Sequence, residues 1–312
     1  MIDFTTGTPI AGELPARWIH GAPGEPPIQV HGYDPHTYLL RQSKATSYEA
    51  PFLFLYLGNE RAMLLDTGAT ADPAVFPLRA TVDRLIADWL GRNPRDGYEL
   101  VVAHTHGHGD HVAGDGQFAG RELTTVVPRD AAAVGEFFGF SRWPDEVVGF
   151  DLGGRVLEVT GIPGHHRASI AVYDPWTGIL QTGDTVYPGR LYAFDFPAFA
   201  ASLDRMAEFA AARPVTHVLG CHIEMSRTAG IDYPIGSRYQ PDEPPPQMTV
   251  AQLVAVRDAA RSAAARPGAH VFDDFIIFNG PCRAAVARQL ARAAWRRVTG
   301  RDAARAGPAS SS

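Results

Sequence analysis

The chain has 312 residues, of which 45% are hydrophobic and 20% charged, and its formal net charge at pH 7 is −6. This is ordinary globular composition, so it excludes a disordered or collagen-like protein. The negative charge argues against a nucleic-acid partner, which a basic surface would favour. Histidine is the unusual residue, because its 12 copies are about twice the number expected for this length. Imidazole is the commonest metal ligand, so the placement of these histidines is informative.

No linker separates two domains in the sequence, so we expect one domain over residues 37–300. An irregular arm over residues 1–36 precedes it, and a small, polar, disordered tail over residues 301–312 follows it. The two cysteines, Cys221 and Cys282, do not make a disulfide framework. The first 20 residues lack a basic segment followed by an apolar stretch, and no apolar run is long enough for a membrane span. We therefore expect no signal peptide, no membrane association and a cytoplasmic location.

Short apolar runs and segments of helical spacing follow one another along the domain. Strands are predicted at Thr37–Ser43, Phe52–Leu57, Arg61–Asp66, Glu99–Ala103, Leu123–Val127, Val156–Thr160, Ser169–Tyr173, Ile179–Thr182 and Val271–Phe278. Helices are predicted at Leu78–Leu90, Ala198–Ala212, Val250–Ala265 and Pro281–Val298. The segment Cys221–Gln247 is long and rich in proline, which predicts a functional loop or lid.

The apolar strand at Glu99–Ala103 runs directly into His106, His108, Asp110 and His111, which form the motif H-x-H-x-D-H. Alternate residues of an extended segment face one side, so the first two histidines can grip one ion. Where the chain turns toward a helix, the aspartate and the last histidine can reach a second point a few ångströms away. Imidazole nitrogens with a carboxylate oxygen suit zinc, and manganese or iron are alternatives.

Together with this motif, four further segments in chain order make the sequence resemble the metallo-β-lactamase fold superfamily. They are Asp66 in LLDTG, His165 in GIPGHHRAS, Asp184 in LQTGDTVYPG and His222 in VLGCHIE. The resemblance runs from about Thr37 to His222. It implies an α/β (α+β) fold, a four-layer αββα sandwich in which two mixed sheets lie between helices. The metals would lie at one edge of the sandwich, on loops at strand ends.

The resemblance also implies two metal ions, expected to be Zn²⁺. It assigns seven donors to two positions: His106, His108 and His165 to the first, Asp110, His111 and His222 to the second, and Asp184 with a hydroxide to both. Asp66 would orient ligands through hydrogen bonds without binding metal. Asp110 is the expected catalytic group that carries a proton to the leaving group.

Several neighbours of these donors have two readings. Tyr187 lies at the offset where the acyl-homoserine lactonase branch has a tyrosine facing the substrate carbonyl, so it is a candidate oxyanion donor or a packed loop residue. His104 is a candidate contact to ligands or substrate, or a buried histidine bonded to backbone. His166 is expected to point away from the metals. Arg190 and Tyr192 are a candidate pair for binding a carboxylate or phosphate.

These residues predict a dinuclear metal-dependent hydrolase that cleaves an ester, lactone or thioester of a small molecule by a metal-bridging hydroxide. Hydroxyacylglutathione hydrolases are a near comparison within the superfamily. Three other functions stay open: an iron-dependent sulfur dioxygenase-type enzyme, a β-lactam amide hydrolase and a non-catalytic metal-binding module. Fold alone does not choose among them. The substrate, the native metal and the oligomeric state are left undetermined by the sequence.

Overall fold

The computed structural model describes residues 1–5 and 7–300, so the tail predicted at 301–312 lies outside the described residues. The strands are β1 (Ile28–Asp34), β2 (Thr37–Gln42), β3 (Phe52–Leu57), β4 (Arg61–Leu65), β5 (Glu99–Ala103), β6 (Thr124–Val126), β7 (Val147–Asp151), β8 (Val156–Gly161), β9 (Ile170–Asp174), β10 (Ile179–Gly183), β11 (Arg190–Ala193), β12 (His217–Gly220), β13 (Gln247–Met248), β14 (Gly268–Val271) and β15 (Ile276–Asn279). The α-helices are α1 (Leu78–Arg92), α2 (Gly109–Val112), α3 (Ala131–Phe138), α4 (Phe196–Ala211), α5 (Val250–Ala263) and α6 (Arg283–Val298).

The first sheet has the order β1-β2-β3-β4-β5-β6, and the second has the order β13-β12-β10-β9-β8-β7. Both are mixed sheets: β4, β5 and β6 are parallel neighbours in the first, and β10 pairs parallel with β12 in the second. A third, three-stranded sheet has the order β11-β15-β14. Among the described residues, no helix has both the length and the apolar character needed to cross a bilayer.

The alternation of side chains along central strands builds four layers. In β3, Phe52, Phe54 and Tyr56 pack into the core between the sheets, while the intervening leucines pack with α1. In β9, Ile170 and Val172 join the same central core, while the other face packs with α4 and α5. Each strand is therefore apolar on both faces, as strands covered on both sides are. The fold class predicted from the sequence, an αββα sandwich, is confirmed.

Two predicted segments differ from the structure. Within the arm expected to be irregular, Ile28–Asp34 forms strand β1, which pairs antiparallel with β2. The glycines and prolines of the arm conceal it, but pairing satisfies the backbone groups of β2 that would otherwise form an open edge. The strand expected at Val271–Phe278 is instead the antiparallel hairpin of β14 and β15. Asp273 and Asp274 lie in its turn, where polar residues of this type are favoured.

Candidate metal centre

The residues of the five sequence motifs lie just after strand ends on one side of the sandwich. Asp66 follows β4, and the run from His104 to His111 follows β5. From the second sheet, Asp184 directly follows β10 and His222 comes two residues after β12. His165 comes four residues after β8, in a turn where Gly164 has a φ of +138°. A Cβ at Gly164 would lie 2.3 Å from the Cα of Phe199, so only glycine allows this turn to approach α4.

His106, His108 and His165 form a first cluster of donor atoms. The Nδ1 atom of His108 lies 3.0 Å from Nε2 of His106 and 2.9 Å from Nε2 of His165. His106 and His165 are buried, and His108 is partly exposed. Nitrogens that share a tetrahedral Zn²⁺ at about 2.0–2.1 Å lie about 3.3 Å apart. The spacing of these three nitrogens therefore fits one metal ion.

Asp110, His111, Asp184 and His222 form a second cluster. The Nε2 atoms of His111 and His222 are 3.4 Å apart. Each lies 3.3 Å from Oδ2 of Asp110. Asp110 is 23% exposed at the side chain, whereas the histidines are buried. The arrangement offers two imidazoles and a carboxylate that remains open to solvent.

Asp184 lies between the two clusters. Its Oδ2 atom is 3.7 Å from Nε2 of His165, 3.9 Å from Nε2 of His106 and 3.4 Å from Nε2 of His111. Its Oδ1 atom is buried and lies 3.4 Å from Nε2 of His222, but no described residue donates a well-directed hydrogen bond to it. A buried carboxylate oxygen without a donor is costly unless a cation neutralises it. The position of Asp184 therefore fits a group shared by two ions.

The two clusters differ in how they hold protons. Burial lowers the pKa of His165 to about 4 and holds the pKa of His106 well below its usual range. These neutral imidazoles keep lone pairs available, as metal binding requires. Burial also disfavours charge on His111 and His222, but the nearby carboxylates outweigh it and hold their pKa values well above the usual range. The second cluster therefore attracts positive charge, which protons or metal ions can supply.

The ring nitrogens that face away from the clusters have their own partners. Three acceptors are involved: Asp66 Oδ2 at 2.9 Å from Nδ1 of His111, the Tyr192 carbonyl at 2.9 Å from Nδ1 of His165, and the Glu49 carbonyl at 3.0 Å from Nδ1 of His222. Such contacts fix the tautomer with the proton on Nδ1, so that the lone pair of Nε2 in each ring is free to bind a metal ion. Glu49 and Tyr192 act through backbone carbonyls, which carry no side-chain signal in a sequence.

Asp66 is fully buried and organises the floor of the centre. Its Oδ1 accepts from the Thr105 N–H at 2.7 Å, and its Oδ2 accepts from the Thr105 hydroxyl at 2.9 Å. The Cys221 thiol also donates to Oδ2, at 3.3 Å. Asp66 itself adopts a positive φ of 71°, which aspartate tolerates better than most residues. Cys221 is therefore a packed residue whose sulfur points at Asp66, and burial raises the pKa of its thiol.

His104 lies outside both clusters. Its Nε2 atom lies 2.8 Å from Oδ1 of Asp115, and that oxygen also accepts from the Thr67 hydroxyl. The expected contact of His104 with a metal-site residue is therefore indirect, because Thr67 in turn contacts the carbonyl of His111. The sequence analysis offered a contact to ligands or substrate, or a hydrogen bond to backbone, for His104. It did not anticipate this contact with Asp115, which lies 11 residues further along the chain.

Tyr187 is buried, and its hydroxyl is already occupied. The hydroxyl donates to the Arg190 carbonyl at 2.6 Å and lies 3.2 Å from Oε2 of Glu224. The ring packs against His222 with centroids 5.7 Å apart. Of the two interpretations of Tyr187, an oxyanion donor or a packed loop residue, these contacts favour the second: the phenol packs against His222 and stabilises the loop after Asp184.

Arg190, a candidate anion-binding residue, is likewise buried and neutralised. Its guanidinium forms ion pairs with Glu224 and, at 3.0 Å, with Asp232. It also donates to the Tyr233 carbonyl. A substrate anion would have to displace Glu224 and the buried Asp232, so Arg190 serves to join the loop after Asp184 to the segment after His222.

Comparison with known proteins places these motifs in a family. The family model described as the metallo-beta-lactamase superfamily matches residues 50–222, which include every donor of both clusters. The chain belongs to this superfamily. Two solved structures share the fold: the metallo-beta-lactamase FIM-1 from Pseudomonas aeruginosa (TM-score 0.51, 15% identity, 78% of this chain and 98% of that chain) and the metallo-beta-lactamase from Pontibacter korlensis (TM-score 0.50, 17% identity, 75% and 99%).

Curated relatives include several hydroxyacylglutathione hydrolases. The protein of that name from Synechococcus sp. (strain JA-3-3Ab) is 32% identical over 198 residues, which cover 58% of this chain and 71% of the relative. The one from Rhizobium meliloti (strain 1021) is 30% identical over 162 residues, 49% of this chain. The aligned part spans 59% of that second relative's length. The superfamily and these relatives identify the chain as a metal-dependent hydrolase.

Proposed function

We propose that the chain is a dinuclear hydrolase that cleaves the thioester of a small molecule. The sequence predicts the wider class of ester, lactone and thioester cleavage, and the relatives' name favours the thioester. We propose two Zn²⁺ ions, with Mn²⁺ or iron as alternatives, in a single domain over residues 37–300. The negative net charge argues against a nucleic-acid partner, and we propose a cytoplasmic protein that acts on a small molecule without a membrane partner.

One observation carries this proposal: seven donor side chains converge in two groups that meet at Asp184. The proposed ligands of the first ion are His106, His108 and His165. The proposed ligands of the second ion are Asp110, His111 and His222, and Asp184 is proposed to touch both. Divalent ions at these positions supply two things to hydrolysis, acidification of water and polarisation of a carbonyl.

The chain's own residues would orient the reaction and move its proton. Asp66 and the carbonyls of Glu49 and Tyr192 hold the imidazoles in the tautomer whose Nε2 atom can bind a metal ion. Asp110 is the donor carboxylate with solvent access. We propose that Asp110 receives the proton released when water attacks the carbonyl and passes it to the departing thiolate. Because Asp110 belongs to the second cluster, the leaving group would depart on that side of the centre.

The experiment combines metal content with turnover. Protein purified without chelator is expected to carry two equivalents of transition metal and to hydrolyse a hydroxyacylglutathione thioester. A chelator should abolish turnover, added Zn²⁺ should restore it, and the melting temperature should fall when metal is removed. His106→Ala should bind less metal and should lower kcat/KM at least about 100-fold. His270→Ala, a histidine outside both clusters, is the matched control.

Less than one equivalent of bound metal would contradict the dinuclear proposal. Full activity in His106→Ala would contradict the role of that ligand. Iron content with oxygen consumption on a persulfide would favour the sulfur dioxygenase-type alternative. Turnover of a β-lactam panel without thioester hydrolysis would favour the amide hydrolase. Two bound metals with turnover of neither panel would favour the non-catalytic module.

A further inference from the structure

A cavity of about 610 Å³ opens beside the first cluster. Its lining includes two residues of the first cluster, His108 and His165. The lining also includes His166, Arg167, Phe194 and Asp195. The volume lies in the range of about 300–1,000 Å³ that small-molecule sites occupy. The sequence predicts that His166 points away, yet its ring lies 5.1 Å from that of His108. The cavity is therefore continuous with the proposed metal centre.

Phe194 presents an apolar face to this cavity. Its side chain is 71% exposed. Burial of this apolar surface against a substrate would therefore be favourable. Its ring lies 5.5 Å from the ring of His165 and 6.0 Å from that of His108. It stacks on Tyr192 with an interplanar angle of 12°, and Tyr192 packs against Phe278. The ring is thus supported from behind and offers its open face next to the proposed first ion.

Arg167 supplies a cation to the same cavity. It is exposed, and no described residue forms a hydrogen bond or ion pair with its guanidinium. The acidic residue in the lining, Asp195, is engaged elsewhere: its Oδ1 accepts from the Ala198 N–H at 3.1 Å and caps α4. Arg190, by contrast, is buried and paired with two carboxylates. Among the described residues that line the cavity, Arg167 is therefore the arginine that is free to pair with an anionic substrate.

We propose that this cavity holds the acyl part of the substrate, and that the acyl group carries a second carboxylate that binds Arg167. The inference rests on the proposed function. With Asp110 protonating the departing thiolate at the second cluster, the acyl chain extends past the first cluster, where the cavity lies. Phe194 covers the apolar carbons between the thioester and the distal carboxylate. Arginine suits that carboxylate because its planar fork donates two parallel hydrogen bonds. The substrate class is a monothioester of a dicarboxylic acid.

The test compares succinyl and butyryl thioesters of one thiol, which have acyl chains of equal length with and without the distal charge. The wild-type holoenzyme should prefer the succinyl thioester. Arg167→Gln should lower kcat/KM for that substrate about 10- to 100-fold, mainly through KM, and change the butyryl value less than about threefold. Phe194→Ala should weaken the binding of both substrates. The control Arg84→Gln replaces an exposed arginine on α1, outside the cavity, and should change neither.

A second readout does not depend on turnover. Titration of the holoprotein with succinate and with butyrate should show tighter succinate binding, and Arg167→Gln should remove the difference. Equal binding of both acids to the wild type, or equal loss of both thioesterase activities in Arg167→Gln, overturns this proposal. If no thioester is hydrolysed but succinate still binds through Arg167, the proposed function fails and the anion site stands.

Discussion

The Tyr187 hydroxyl shows how burial decides the role of a residue near a reactive centre. It donates to a backbone carbonyl and contacts Glu224. Tyr187→Phe should therefore reduce the free energy of unfolding by about 1–2 kcal/mol, because a buried acceptor loses its donor. The same variant should keep its turnover number within about threefold of the wild type. Urea denaturation and steady-state kinetics on the same preparation measure the two effects. A hundredfold slower turnover with unchanged stability would restore the oxyanion-donor interpretation.

The convergence of the seven candidate donors could be predicted because motif spacing and the resemblance both depend on residue type alone. His106, His108, Asp110 and His111 lie within six consecutive positions, so local geometry limits where they can lie. Tyr187 could not be predicted in this way. Its hydroxyl partner Glu224 lies 37 residues along the chain, and only the packed loops bring the two together. The same reason applies to Glu49, whose carbonyl meets His222 across 173 residues.

At the scale of elements, one buried ion pair joins several strands. Arg155, at the start of β8, donates to Asp174 at the end of β9 through Nη2 at 2.5 Å and Nε at 3.2 Å. It also donates to the carbonyl of Leu57 in β3 and to the Thr37 hydroxyl in β2. Both members of the pair are 1% exposed or less at the side chain. The pair therefore ties the first sheet to the second at the end of these strands.

Arg155→Met should reduce the free energy of unfolding by about 3–5 kcal/mol, because it leaves the Asp174 carboxylate buried and unpaired. Arg261→Met is the matched control. Its partner Asp204 is 2.8 Å away, but the two side chains are 58% and 39% exposed, so the expected loss is below about 1 kcal/mol. Urea denaturation of both variants measures the difference. Equal losses would show that the buried pair does not hold the sheets together.

Most elements followed from the sequence because apolar periodicity is a local property. The hairpin of β3 and β4 and the helices α1, α4 and α5 lie within a few residues of their predicted bounds. Strand β1 was not predicted, because its strand character comes from pairing with β2 and not from its own composition. Strand β7 was missed for a similar reason: none of its five residues is buried, and its strand character comes from pairing with β8.

At the scale of the whole molecule, the chain's one lysine is a buried charge that lowers stability. Lys44 is 1% exposed. Burial lowers its pKa to about 8, with Glu243 opposing the shift. In the unfolded chain the pKa is about 10.4, so above pH 8 the unfolded state holds more protons than the folded state. The contribution of Lys44 to the free energy of unfolding should therefore rise with pH in this window, by about 2 kcal/mol between about pH 7.5 and 9.5. The buried Cys221 thiol, whose pKa is raised, contributes with the opposite sign.

Lys44→Met should be more stable than the wild type near neutrality and should lack most of this rise. Urea denaturation of both proteins at the two pH values measures these effects, because the contributions of cysteines and tyrosines are common to the two proteins and cancel in the difference between them. The hydrogen bond from Nζ to the Tyr48 carbonyl is lost in the variant and reduces the gain at both pH values alike. Parallel pH dependence in the two proteins would show that Lys44 does not control it.

The proposed ligands come from both sheets: the H-x-H-x-D-H run follows β5 of the first, while Asp184 and His222 follow β10 and β12 of the second. Under that assignment, an ion at the second cluster joins Asp110 to His222, roughly a hundred residues apart. It would act as a removable cross-link, comparable in its effect on chain entropy to a disulfide that closes a long loop. Proteolytic sensitivity at this edge of the sandwich would then report how fully the protein is loaded.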